Sequence, residues 1–276
     1  MATKTKSKPK KIKKRSQKTP YRRFLIYGHP GVGKSDLVGT VMSIPKAGKL
    51  LVLNADGPDG PEPMTKYGDP DEWTMTKLKD MTDSYDYLRH GGTEQYDWVA
   101  MDSWTLFEEA NMDDIMDQII KGTMTGRSKA PHRNVALPDQ PEYLLRQNLM
   151  GRWIRHMSKL PVNLIVTAHV MSMGIESDDD DDESTIQYLP AIQGKKGEIS
   201  SKTCGYFGLV GRLYIVRKKV KLKGGGKKVK NVRLLQVQKS PKWYAKDRIS
   251  HGRLGDTIES PSMPDIVAEI NSRRKK

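Results

Sequence analysis

Residues 28–35 read Gly28-His29-Pro30-Gly31-Val32-Gly33-Lys34-Ser35. This run matches every fixed position of the phosphate-binding P-loop pattern G-x-x-x-x-G-K-[ST]. The apolar residues 24–27 before it predict a strand, and the residues from Ser35 onward predict the first turn of a helix. A strand, a glycine-rich turn and a helix in that order are the setting in which the pattern binds nucleotide. The sequence therefore predicts an α/β nucleotide-binding domain around this loop.

The residue types in the loop suit a triphosphate. Glycines allow a tight turn that aims successive backbone N–H groups at phosphate oxygens, and the helix N-terminus adds a partial positive charge. We expect Lys34 to reach the β- and γ-phosphates and the Ser35 hydroxyl to bind Mg²⁺. The predicted cofactors are ATP and Mg²⁺, and the predicted nucleotide-binding residues are Gly28, His29, Pro30, Gly31, Val32, Gly33, Lys34, Ser35 and Asp36.

The composition indicates a polyanionic partner. The 276 residues carry a net charge of +15 and a pI of about 9.6, which favours nucleic acid first. A single cysteine, Cys204, excludes an internal disulfide framework and is typical of a reducing compartment. The sequence contains no apolar run of the roughly 18–20 residues that cross a bilayer, and no hydrophobic signal core begins it. We expect a cytoplasmic protein with no membrane partner.

From residue 21 onward, short apolar runs alternate with longer amphipathic stretches, which is typical of a parallel sheet covered by helices. We predict a three-layer α/β fold with a mostly parallel central sheet and a C-terminal β-hairpin. The predicted strands are 24–28, 49–54, 97–102, 162–168, 211–217 and 232–238. The predicted helices are 76–90, 104–121 and 141–158, with loops at 55–70 and 122–140.

The predicted domain, 21–271, lies between two basic tails, 1–20 and 272–276. Residues 1–23 hold eleven Lys or Arg and no acid. Such a composition buries too little apolar surface to fold alone, so we predict a disordered arm that can bind phosphates through release of counterions.

Two segments of opposite charge lie in the second half of the chain. Residues 174–187 are predicted to form an acidic mobile loop, because Asp178 to Asp182 and Glu183 follow one another. Contiguous aspartates cannot all converge on one ion, which argues against a metal cluster there. Residues 217–233 place lysines on both sides of three glycines, 224–226, and predict a basic β-hairpin. We hypothesise that the acidic loop folds against this hairpin or the arm when no polyanion is present.

Polar residues follow several of the predicted strands, and ligands of open α/β sheets gather at the carboxyl ends of the strands. Asp102 ends the third strand and is predicted to hold Mg²⁺ as a Walker B acid. Asp56 follows the second strand and is predicted to orient and deprotonate the attacking water, with Glu108 or Glu109 as alternatives. His169 follows the fourth strand and is predicted to sense the γ-phosphate through a hydrogen bond.

A basic turn, Ala245-Lys246-Asp247-Arg248, follows the last predicted strand. We predict that Arg248 stabilises the charge of the transition state, in the site of a neighbouring subunit, with Lys246 as the alternative. A surface turn without a catalytic role accounts for the same residues equally well.

Together these elements resemble the RecA-fold ATPases, and specifically the phage RecA-like single-strand annealing ATPases of the Sak group. The resemblance covers roughly residues 21–271 and rests on the ordered motifs at 27–35, 99–103, 163–169, 189–195 and 245–248. It implies a sheet in which the sensor strand lies between the P-loop strand and the Walker B strand. It also implies ATP-linked assembly, as a ring or filament, on single-stranded DNA. In that assembly the loop after His169 faces the DNA and the turn at Arg248 reaches a neighbour's γ-phosphate.

Two features depart from that group's pattern. Asp56 stands where the recombinase relatives usually carry Glu, and the aspartate run in the presumed DNA loop repels phosphate. Single-strand binding normally uses aromatic platforms. Tyr188, Tyr206 and Phe207 are the candidates near the loop, although burial in the core accounts for the last two equally well.

We therefore predict a Mg²⁺-dependent ATPase that binds single-stranded DNA and supports recombination, annealing or replication of phage DNA, with a single-strand-binding protein as a candidate partner. The alternative is a nucleotide-gated module such as a helicase loader, with little turnover. A P-loop nucleotide kinase fits less well, because the lysine-rich hairpin lacks the arginine-bearing helical pattern of a kinase lid.

Overall fold

The computed structural model describes residues 21–123, 137–175, 185–192, 198–221 and 227–272. The strands in these ranges are β1 Arg23–Tyr27, β2 Lys49–Asn54, β3 Asp71–Thr74, β4 Tyr96–Asp102, β5 Asn163–Ala168, β6 Val170–Ile175, β7 Thr185–Pro190, β8 Leu209–Lys221, β9 Lys227–Gln236, β10 Lys246–Asp247 and β11 Thr257–Glu259. The helices are α1 Lys34–Gly39, α2 Leu78–Arg89, α3 Trp104–Ile120, α4 Gln140–Met157, α5 Glu198–Cys204 and α6 Met263–Asn271. Short 3₁₀ helices lie at Thr40–Ser43, Glu62–Tyr67 and Gly92–Glu94.

One large sheet organises the domain, in the order β11-β9-β8-β1-β5-β4-β2-β3, with β10 added to β8. The six strands from β8 to β3 are parallel to their neighbours, whereas β9, β10 and β11 pair antiparallel. The predicted mostly parallel α/β fold is confirmed. Strand β5 lies between β1 and β4, as the resemblance to RecA-fold ATPases implied.

The central strands are buried on both faces, which explains why their sequences are continuous apolar runs. Alternate residues of β1 serve different faces of the sheet. Leu25 and Tyr27 pack in the core formed with α3 and α4, around Trp104 and Trp153. Phe24 and Ile26 pack in the core formed with α1 and α6. Helices on both sides of one sheet give the three predicted layers, and the loops at the carboxyl ends of the strands remain open.

The structure contains elements that the sequence patterns did not predict. Strand β3 is an edge strand that pairs with β2, and its residues lie between the predicted loop 55–70 and the predicted helix 76–90. Strands β6 and β7 pair with each other as a separate two-stranded sheet. Residues 174–175 and 185–187, placed in the predicted acidic loop, belong to these strands, and the aspartate run itself lies outside the described residues.

The predicted basic hairpin is formed by β8 and β9, which pair from Arg212 with Gln236 to Lys221 with Lys227. The strands are longer than predicted, and the three glycines lie outside the described residues. The arm 1–20 lies outside them as well, as does most of the tail 272–276. Among the described helices, none is both long and apolar enough to cross a membrane.

Candidate functional site

A cleft of about 440 Å³ opens at the carboxyl ends of β1, β2, β4 and β5. Lys34, Ser35, Asp56, Asp102 and His169, which were predicted to act on phosphate, metal or water, line it from four separate segments. The remaining lining residues are Pro30, Gly31, Gly33, Asp36, Asp59, Gly60, Pro63 and Ser103. The strand order brings these groups together, because parallel neighbours end at the same edge of the sheet.

The backbone of the P-loop requires glycine at specific positions. Gly31 and Gly33 have φ angles of 75° and 91°, in the region that favours glycine. At Gly28, a Cβ atom would lie 2.3 Å from the carbonyl oxygen of Leu213 on β8. The loop is therefore packed directly against the neighbouring strand of the sheet. Helix α1 begins immediately afterwards, with Leu37 N–H bonded to the carbonyl of Gly33 at 3.0 Å.

Lys34 lies inside the loop and is 7% exposed. Its ammonium donates to the carbonyl oxygens of Gly28, at 3.3 Å, and His29, at 3.2 Å. Burial lowers the pKa of Lys34, while the negative charges of Asp102 and Asp56 oppose that shift. A cation among carboxylates and loop carbonyls is poised to exchange these partners for phosphate oxygens.

Asp102, at the end of β4, is 2% exposed. The hydroxyl of Thr167 donates to its Oδ1, whereas Oδ2 is buried without a hydrogen-bond partner among the described residues. Burial raises the pKa of Asp102, and the hydroxyls of Thr167 and Ser35 oppose that rise. Burying a carboxylate oxygen without a partner costs free energy unless a hydrogen-bond donor or a metal ion binds it.

These residues fit Mg²⁺. The ion takes oxygen ligands and is usually held by one or two carboxylates together with substrate phosphates. Asp102 supplies an uncommitted carboxylate oxygen, and the Ser35 hydroxyl lies beside it at the mouth of the loop.

Asp56 and its alternatives occupy different places. Asp56 lines the cleft at an exposed turn, where its N–H donates to the Asn54 side chain at 2.8 Å. Glu108 is 1% exposed, next to Arg146 of α4, and does not line the cleft. Glu109 is exposed on α3, and its charge reaches His169. The geometry therefore keeps Asp56 and Glu109 as candidates for positioning water and disfavours Glu108.

His169 connects the cleft to the β6–β7 hairpin. The backbone N–H of His169 donates to the Thr105 hydroxyl at 2.9 Å, and its backbone carbonyl accepts from the backbone N–H of Ala191 at 2.8 Å. Burial and then the charge of Lys34 lower the pKa of His169, against the opposing charges of Asp56 and Glu109. The imidazole is therefore neutral near pH 7, with one N–H to donate.

Comparison with protein families agrees with this geometry, since a family model described as an AAA domain matches residues 21–249. The chain belongs to the AAA domain family. It is therefore a P-loop ATPase domain, and nucleotide binding is the expected property of the cleft.

No curated protein matches the chain. Among solved structures, a RadB recombinase is 12% identical with a TM-score of 0.37, over 78% of this chain and 81% of that one. An ATPase from the type III secretion system of pathogenic bacteria is 15% identical with a TM-score of 0.40, over 70% of this chain and 52% of that one.

Arg248 lies apart from the cleft of its own AAA domain. Its guanidinium donates to the carbonyl oxygens of Gly205, at 2.7 Å, and Phe207, at 3.2 Å. Lys246 likewise donates to the carbonyl of Cys204. The structure thus gives both cations a partner within their own chain, and the role of Arg248 in a neighbouring subunit stays a prediction.

Sequence reasoning missed the surroundings of Asp36. This predicted nucleotide-binding residue is 6% exposed and accepts from Tyr67 at 3.0 Å, and it forms ion pairs with Lys66 and Arg233. Lys66 and Tyr67 come from a 3₁₀ helix inside a predicted loop, and Arg233 comes from β9. The sequence gives no spacing signal for these contacts, because Arg233 is 197 residues away from Asp36.

Proposed function

We propose that this AAA-domain ATPase hydrolyses ATP with Mg²⁺ while bound to single-stranded DNA, and that it supports recombination, annealing or replication of phage DNA, as in the Sak group. The observation that carries the proposal is a cationic hairpin built onto the strand beside the P-loop. Strand β8 pairs with β1 and contacts Gly28 at its backbone. The P-loop and the hairpin are therefore parts of one packed unit.

The outer part of the hairpin is suited to a phosphate backbone. Arg217, Lys218 and Lys219 on β8 and Lys230 on β9 are all exposed. One of them, Lys218, pairs with Glu259, and the rest of this set has no acidic partner among the described residues. The sequence adds eleven Lys or Arg in residues 1–23. Such contacts hold phosphates without reading bases, and they weaken steeply with salt.

The residues of the cleft divide the work of hydrolysis. Lys34 binds the phosphate oxygens and balances their charge, and Ser35 and Asp102 hold the metal. Mg²⁺, when bound, neutralises charge that develops on the β- and γ-phosphate oxygens. Asp56 accepts a hydrogen bond from the attacking water and takes its proton. The neutral His169 donates a hydrogen bond to the γ-phosphate, and Arg248 of an adjacent copy stabilises the transition state.

A chain of contacts links His169 to the basic hairpin formed by β8 and β9. Ala191, bonded to His169, follows β7, and Tyr188 of β7 stacks on Trp243 with ring centroids 4.2 Å apart. The guanidinium of Arg212, on β8, lies 3.0 Å from the centroid of the Trp243 ring. A shift of His169 on loss of the γ-phosphate could therefore be transmitted through packed side chains to the surface proposed for DNA.

The aromatic candidates for base stacking differ in availability. Phe207 is 0% exposed and belongs to the core, so it is not available to bases. Tyr206 is 40% exposed, whereas Tyr188 is half-buried against Trp243. Tyr206 is the aromatic side chain of this set that we propose for contact with unstacked bases.

The test measures phosphate release by the purified chain with and without single-stranded DNA, alongside the mass of the assembly and the annealing of complementary strands. We expect stimulation by single-stranded DNA and an assembly larger than one chain. DNA binding with little turnover in a single-turnover assay would instead identify a nucleotide-gated loader. Phosphorylation of a nucleotide acceptor would identify a kinase, and absence of Mg-ATP binding by folded protein would remove the proposal.

A further inference from the structure

The nucleotide cleft is rich in acid. Its lining includes four carboxylates, those of Asp36, Asp56, Asp59 and Asp102. Among the described lining residues, Lys34 is the single lysine, and no arginine lines the cleft. A triphosphate carries several negative charges, and like charges in a partly buried site repel strongly. Asp102 would be balanced by Mg²⁺ and Lys34, but Asp36 directly follows Ser35, which is assigned to the metal. The charge around Asp36 therefore bears on nucleotide binding.

Both carboxylate oxygens of Asp36 are paired. Lys66 and Tyr67 contact Oδ1, and Arg233 contacts Oδ2. With one carboxylate and two cations, the cluster has a net charge of +1. The acid thus positions two cations beside the loop.

Arg233 has donors to spare. Its Nη1 pairs with Asp36, and the same atom lies 2.5 Å from where a Cβ on Gly33 would stand, so the guanidinium is against the P-loop. A guanidinium has five N–H donors, and within the described part of the chain no acceptor other than Asp36 bonds to this one. The side chain is 37% exposed, and that of Lys66 is 56% exposed. Both cations are therefore accessible to an anion.

The position of Arg233 determines which phosphates of a bound triphosphate lie within its reach. Lys34 is coupled to Asp102 and Asp56, the groups assigned to the metal and the attacking water. Arg233 and Lys66 approach instead from β9 and from the 3₁₀ helix, on the side of Asp36. A triphosphate with its γ-phosphate near Asp56 and His169 has its nucleoside end directed away from them.

We propose that Arg233, assisted by Lys66, is a second cationic edge of the nucleotide site that binds the α- and β-phosphates, with Asp36 as its positioning residue. The inference rests on the proposed nucleotide binding and adds a residue from outside the P-loop motif. It also makes β9, a strand of the basic hairpin, a direct part of the nucleotide site.

The test compares Arg233→Gln with Arg152→Gln, a control that removes the same charge from an exposed position on α4. Binding of Mg-ATP and Mg-ADP is titrated on the full chain without DNA. We expect Arg233→Gln to weaken both nucleotides about tenfold or more, since charge-assisted hydrogen bonds to phosphate are strong, and Arg152→Gln to stay within about twofold. Equal binding by Arg233→Gln and the wild type overturns the proposal, and so does a loss confined to ATP.

A second pair of variants separates contact from charge balance. If Arg233 only neutralises Asp36, the double variant Asp36→Asn/Arg233→Gln regains wild-type affinity, which refutes the contact. We expect the double variant to remain weak and Lys66→Gln, on the exposed 3₁₀ helix, to lose about threefold or more for both nucleotides. These two variants decide the question if Arg233→Gln alone does not fold. Failure of the wild type to bind either nucleotide is a different result, because it removes the proposed function itself.

Discussion

Replacing Thr167 by Val tests the Walker B acid through its hydrogen bond. Thr167 and Asp102 are 0% and 2% exposed, so water cannot replace the lost hydroxyl. The variant keeps the shape of the side chain and removes the donor to Asp102 Oδ1. A hydrogen bond to a charged group contributes about 1.5–3 kcal/mol, and about 1.4 kcal/mol corresponds to one pKa unit. The pKa of Asp102, already raised by burial, should therefore rise further in the variant, because the ionised form loses this stabilisation.

The sign of the effect on activity follows from the chemistry of the ion. Mg²⁺ needs the ionised carboxylate, so a higher pKa means that the metal site is lost at a higher pH. The acidic limb of the pH profile for Mg-ATP hydrolysis should therefore move to higher pH in Thr167→Val. Thr167→Ser keeps the donor and should follow the wild type. Raising the Mg²⁺ concentration should move the limb back, because metal and proton compete for the same oxygen.

The assay is steady-state phosphate release across pH, with thermal unfolding of the nucleotide-free protein as the check on folding. Protonation of ATP contributes equally to all three proteins, so the difference between limbs reports on the enzyme. An acidic limb of folded Thr167→Val that coincides with that of the wild type would falsify the role given to Asp102.

Three other predictions follow from the cleft and the charge pattern. Lys34→Ala should abolish turnover and leave salt-sensitive binding of single-stranded DNA largely intact, as measured by fluorescence anisotropy; loss of both in folded protein would mean that the two sites are coupled more tightly than proposed. Asp56→Asn should lower hydrolysis about a hundredfold or more while Mg-ATP affinity persists, whereas Glu109→Gln should have a small effect; the reverse pattern would transfer the role of the base to Glu109. Deletion of residues 177–183 should raise affinity for single-stranded DNA at low salt because it removes like charge, and unchanged affinity would dispose of the idea that the acidic run competes with DNA.

The sequence predicted the residues of the cleft whose positions depend on strand ends. Lys34, Asp56, Asp102 and His169 each follow an apolar strand, and parallel neighbours in one sheet end at one edge, so their proximity follows from the fold class. The residue types then indicate which side chains bind phosphate, metal and water. The prediction of proximity succeeds because it needs only local pattern and the general behaviour of parallel sheets, and the roles of these residues stay predictions.

The contacts of Asp36 depend on tertiary packing that no local pattern encodes. Arg233 meets Asp36 because β9 follows β8 in the sheet and carries it past the P-loop helix, which is a property of strand order and register. Strand β3 was missed for a related reason. Its sequence, Asp71-Glu72-Trp73-Thr74, is polar because it is an edge strand, and it forms by pairing with β2. Glu108 was an open alternative until the packing of α3 on α4 showed that its side chain is buried.

The length of β8 has a mechanical consequence. The strand passes the end of β1 where Arg212 pairs with Tyr27, and it continues to Lys221. At about 3.3 Å per residue, the part beyond β1 is roughly 30 Å long. Its inner end packs against the P-loop at Gly28, so a change of angle there moves the whole outer part of the hairpin. A tilt of about 10° at the inner end would displace the far end by roughly 5 Å. A small change of angle at the P-loop is therefore enlarged at the outer part of the hairpin, where Lys218 and Lys219 are exposed.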